Sequence, residues 1–111
     1  MTQNDAPVGA PNIPMPVGWY LSDPEILGDG ETKTVTFPGI TVGRAYAFVA
    51  GFNMGYDNTD HNIEGINVGV GVTGISNSDV TVLGNCRMWD NGGHQATGAV
   101  YFAVIAIVAK T

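Results

Sequence analysis

With 111 residues, 44% of them hydrophobic and 13% charged, the chain has room for one domain built on one core. The net charge is −6, and the only cations, Lys33, Arg44, Arg87 and Lys110, are scattered. That excludes a phosphate-neutralising stripe for nucleic acid and a basic patch for anionic lipid.

Residues 1–16 carry Pro7, Pro11, Pro14 and Pro16, four of the six prolines. Such a run favours extended, polyproline-like backbone with no core of its own. The expected organisation is therefore an extended arm over residues 1–18 and a folded domain over 19–111. The arm is either a disordered tail or a segment that becomes ordered on a neighbour through Ile13, Met15 and Val17. Its start is polar, unlike a basic and apolar leader. No run has the length of a membrane helix.

Trp19 and Tyr20 open the folded part, followed by turn chemistry at Ser22-Asp23-Pro24 and Gly28-Asp29-Gly30. Strands are predicted over residues 32–37 and 44–52, and a polar, acidic loop over 54–64. Residues 66–72 alternate cleanly: Ile66, Val68, Val70 and Val72 on one face, Asn67, Gly69, Gly71 and Thr73 on the other. The valine face is expected in the core. A turn is predicted over 74–79, a strand over 80–88, and a loop over 90–98 with an Asn91-Gly92-Gly93 turn. No helix of two turns or more is predicted. Short strands separated by turn signals point to an antiparallel β-sandwich.

The closing strand, residues 99–109, is apolar on both faces. Ala99, Tyr101, Ala103, Ile105 and Ile107 line one, and Val100, Phe102, Val104, Ala106 and Val108 line the other. A half-buried strand alternates apolar with polar, and this one does not. One face is expected to pack the core and the other a partner chain. The second set is taken as the oligomer interface.

Two clusters are candidate sites. Asp57, Asp60, His61 and Glu64 form an oxygen-rich loop, with Asp57 and Asp60 as weak calcium ligands, because the glycine and spacing of an EF-hand loop are missing. Trp89, Asp90, Asn91 and His94 are the second: an indole offers an apolar face to a sugar ring, and polar side chains take its hydroxyls. The alternative is that Trp89 is a packing anchor and Asp90-Asn91 make a turn. Two histidines and a single cysteine argue against a zinc site. Cys86 has no intrachain partner and reads as a small buried apolar residue. Ser22, Ser76 and Ser78 lie in turns without a nucleophile motif, so neither an enzyme nor a cofactor is expected.

From Thr34-Val35-Thr36-Phe37-Pro38, through the strand at 44–52, the Asn67–Val72 strand, Val80–Val82, Cys86 and Trp89, to the final strand, the chain resembles the H-type lectin domain. More loosely it resembles the C-terminal domains of bacteriophage tail fibres. The resemblance implies a small antiparallel β-sandwich that forms homotrimers with sugar sites near subunit boundaries. Asn67 stands where those lectins place an arginine, Asp90 follows the Trp, and the family's cysteine partner for Cys86 is missing. A retained sugar site is expected at Trp89, Asp90, Asn67 and His94. The implied function is a virion-surface, trimeric protein that binds a host receptor or glycan, with residues 1–16 contacting another virion protein. A structural capsid-decoration or fibre-cap protein and a free lectin are the alternatives.

Overall fold

The computed structural model describes residues 18–56 and 61–109. The proline-rich arm and the loop residues Asp57 and Asp60 lie outside the described residues. All regular structure described is strand: β1 (Trp19–Leu21), β2 (Glu25–Gly28), β3 (Thr32–Thr36), β4 (Val42–Asn53), β5 (Ile63–Ser76), β6 (Asp79–Asp90), β7 (Gln95–Thr97) and β8 (Ala99–Val108). They form two antiparallel sheets packed face to face, the β-sandwich expected. No helix among the described residues is long and apolar enough to cross a membrane.

The two sheets are built alike. In sheet I the central strand is β8, with β4 along one edge and the short strands β1 and β2 end to end along the other. In sheet II the central strand is β6, with β5 along one edge and the short strands β3 and β7 along the other. Strands of 12 to 14 residues make the domain a rod, 56 × 22 × 16 Å.

Splitting one flank into two short strands leaves a gap opposite each central strand, where buried backbone needs a partner. A polar side chain fills each gap. Between β1 and β2, Ser22 Oγ accepts the Val104 N–H at 2.8 Å, and the Ser22 N–H donates to the Val104 carbonyl at 2.9 Å. Between β3 and β7, Asp29 Oδ1 accepts the Cys86 N–H at 3.0 Å and the Arg87 Nε–H at 3.2 Å. There the Gly30 N–H also donates to the Gly84 carbonyl, and the Gly84 N–H to that of Glu31. The residues read from sequence as turn formers thus also complete the sheets.

The core lies between the inner faces of the two central strands. Val80, Val82 and Cys86 of β6 meet Val100, Phe102, Val104 and Ala106 of β8, all at 0% exposure. Val68, Val70 and Val72 pack against them from β5, as the alternation requires. The interface expected at Val100, Phe102, Val104, Ala106 and Val108 is corrected here: the first four fill the chain's own core, and Val108 is half-buried at the strand end. Alternation separates two faces, and when both are apolar it does not say which is inside. The inward face is the one whose Phe102 and valines interdigitate with β6. Cys86 is buried, and burial raises its thiol pKa above the usual value.

Local readings shift in three places. β5 extends to Ser76, so the turn expected over 74–79 contracts to Asn77-Ser78, where Asn77 takes φ 55°, a conformation Asn tolerates. The loop expected over 90–98 is a tight turn followed by β7. β1 and β2 occupy a stretch read only as turns and a start point.

Candidate functional site

Three surfaces carry residues singled out by composition or geometry. The first is the outer face of sheet I. Side chains directly opposite each other in an antiparallel pair share a face. Trp19 pairs with Ile107, Leu21 and Tyr46 with Ile105, Ile26 with Tyr101, and Phe48 with Ala103. All of these point away from the core, so one face presents an apolar field, bordered by Arg44 opposite Ile107 at one end and Asn53 opposite Ala99 at the other. Trp19 is 61% exposed, Tyr46 55% and Leu21 52%. Trp19, Leu21, Ile26, Tyr46, Phe48 and Tyr101 are each at least 41% exposed, and a contiguous exposed apolar patch of this kind marks a contact surface. At the β4 and β5 edges, Phe52 and Ile66 are in register with the inner-face residues Val100 and Met88 and yet are more than half exposed.

The second surface is the outer face of sheet II, and it is mostly polar, with Leu83 and Trp89 among the outward positions of β6. Asn67 lies opposite Arg87, Gly69 opposite Asn85 and Gly65 opposite Trp89 on β5 and β6. Thr97 and Gln95 of β7 flank Arg87 and Trp89 from the other side. The Trp89 indole lies over Gly65, where a Cβ would overlap its six-membered ring. Glycine at 65 is thus what lets the indole lie flat along the sheet.

The third is a cluster at the β6–β7 turn. Asp90 ends β6 with its side chain on the inner register, 6% exposed. Its Oδ1 accepts the N–H groups of Gly92 at 2.9 Å and His94 at 2.8 Å, and the Asp90 carbonyl accepts the Gly93 N–H. Gly93 takes φ 85°, which closes the turn as only glycine does freely. Asp90 Oδ2 lies 2.5 Å from His61 Nδ1 and 3.1 Å from His94 Nδ1. Tyr56 stacks on the His61 ring with centroids 3.8 Å apart, and its hydroxyl donates to the His94 carbonyl at 2.8 Å. The hydrogen bond from His61, with those from the His94 and Gly92 backbone, holds the Asp90 carboxyl well below the usual carboxylate range, against the opposing cost of burial. Burial, together with the Asp90 charge, pushes the Tyr56 hydroxyl up.

The four residues expected to share a sugar site are therefore divided. Trp89 and Asn67 share the outer face of sheet II, and sequence reasoning missed Arg87, Gln95 and Thr97 beside them. Asp90 points the other way, as neighbours on a strand must, and its carboxylate is committed to its own turn and to the histidines. His94 turns its Nδ1 to the Asp90 carboxylate. The alternative reading of Asp90-Asn91 as turn residues matches the geometry. The association of His61 with Asp90 is invisible in the sequence, since 29 residues separate them.

No family model, curated protein or solved structure matches this chain.

Proposed function

We infer that this protein is a non-enzymatic contact module that self-associates through the outer face of sheet I and presents the outer face of sheet II to a partner. The apolar field on sheet I carries this reading. A standard protein interface takes about 800 Å² from each partner and has an apolar, aromatic-rich centre with a polar rim. Trp19, Tyr46, Phe48 and Tyr101 supply such a centre. The homotrimer and the virion-surface setting rest on the resemblance to H-type lectins and tail-fibre domains. In that setting the receptor or glycan meets Trp89, Asn67, Arg87, Gln95 and Thr97.

The test is a glycan array with purified protein whose mass has been measured by light scattering. Binding that disappears in Trp89→Ala and survives in Asp90→Asn supports a receptor-binding protein with its site on sheet II. Binding indifferent to Trp89 removes that site. A specific observation favours the second reading, a capsid-decoration or fibre-cap protein: two of the four expected sugar ligands, Asp90 and His94, are engaged with each other. A folded oligomer silent on the array and bound to particles through residues 1–16 supports it.

A further inference from the structure

The chain has two histidines, and the fold brings both to one buried carboxylate. His61 belongs to the segment that carries the chain from β4 to β5, from one sheet to the other, and His94 closes the β6–β7 turn. Donor atoms of His61, Asp90 and His94 all lie within 4.8 Å of one another. Two backbone N–H groups hold Asp90 Oδ1, which fixes the carboxyl plane; Oδ2 faces the His61 Nδ1, and the His94 Nδ1 lies against both oxygens, 3.1 Å from Oδ2 and 3.3 Å from Oδ1. Tyr56 braces both histidines, stacking on the ring of one and donating its hydroxyl to the carbonyl of the other. Two imidazole nitrogens and a carboxylate oxygen are the donor set of a three-ligand zinc-class site with an open position. Orientation of the ligands by neighbouring groups is the support such sites require.

We propose that His61, Asp90 and His94 bind a first-row divalent cation of the zinc class, which pins the β4–β5 connection to the β6–β7 turn. Two ligands each about 2.1 Å from a tetrahedral zinc are separated by about 3.4 Å. The His94–Asp90 pair is already near that spacing, the His61 ring needs to draw back from Asp90 by about 1 Å, and the two histidine donors, within 4.8 Å of each other, need to close to the same spacing. The His94 side chain is 71% exposed, which gives the ion an entry path and leaves its remaining coordination to water. Asp–His hydrogen bonds alone would hold these groups together without a metal, so the decision lies with binding.

The full chain, stripped with a chelator, is titrated with Zn²⁺ by calorimetry and with Co²⁺ by visible absorption. One ion per chain is expected, with a nitrogen- and oxygen-ligated Co²⁺ spectrum and a thermal midpoint that rises by several degrees in excess Zn²⁺. His94→Ala removes an exposed side chain and should keep the fold by circular dichroism while weakening Zn²⁺ binding at least tenfold. Asp90→Asn should weaken it at least as much. Absence of heat, spectrum and midpoint shift at millimolar ion overturns the proposal, and so does binding that His94→Ala leaves unchanged.

Discussion

The outer faces of the two sheets differ more than their shared architecture suggests. Each sheet has one long central strand, a long partner and a flank of two short strands. Yet the odd positions of β8 and their neighbours form an apolar field with Arg44 and Asn53 only at its ends, whereas the outward positions of β6 and its neighbours carry Arg87, Asn85, Thr81, Thr34 and Asn67 beside Leu83 and Trp89. Architecture therefore does not decide which surface a sandwich hides in an assembly. The outward-facing side chains do, through the water each leaves unsatisfied or content.

The largest effect is expected inside sheet I. Val104→Asp places an unpaired charge at a fully buried position, a cost of several kcal/mol against a total stability of about 5–15 kcal/mol. Loss of the cooperative thermal transition is the expected outcome. A folded protein would mean that the Val104 side chain does not lie between the sheets as described.

The two gap-filling side chains give the next, matched pair. Ser22→Ala leaves the buried Val104 N–H without its acceptor, and Asp29→Ala does the same to the Cys86 N–H and also frees Arg87. Each should lower stability in urea denaturation by about 1–3 kcal/mol. Asp29→Ala should lie at the upper end, because an ionised acceptor makes the stronger bond. Equal stability of either variant and the parent would show that the flank of that sheet closes some other way.

The smallest effect is a pH dependence confined to the β6–β7 turn. The folded state depresses the Asp90 pKa below its ordinary value of 3.8, so the unfolded chain binds that proton more readily. The stabilising contribution is present above about pH 4 and is lost as pH falls through the folded value. With a chelator present, Asp90→Asn should flatten the acid limb of the stability curve relative to the parent. Parallel acid limbs would contradict the bonding described for this carboxylate.

How much of this was legible in the sequence follows from the length of each pattern. Val68, Val70 and Val72 repeat often enough to fix a strand and its buried face, and residues 99–109 are long enough to announce a strand apolar on both faces. The choice between the two faces of β8 was not legible, because Phe102 and Ile105 are equally apolar and only packing against β6 separates them. β1, β2 and β7 have three or four residues each, too few for a period to show, and they form because a long central strand templates them. The Asp90 cluster joins residues distant in sequence. Its one local signal was Asp-Asn-Gly-Gly, which places an acceptor for the turn's own N–H groups at position 90. The outward polar set around Trp89 became visible only once β5, β6 and β7 were in register.

One measurement compares the faces directly: the solution mass, by sedimentation equilibrium, of the parent and of two variants that each add one carboxylate. Tyr46→Glu lies on the outer face of sheet I and Thr34→Glu on that of sheet II, and both side chains are exposed. The parent is expected to be oligomeric, a trimer at three times the 11.6 kDa chain, with an oligomer of the same mass for Thr34→Glu and a folded monomer for Tyr46→Glu. A parent that is monomeric at tens of micromolar, or an oligomer that Thr34→Glu dissociates and Tyr46→Glu does not, would contradict that expectation.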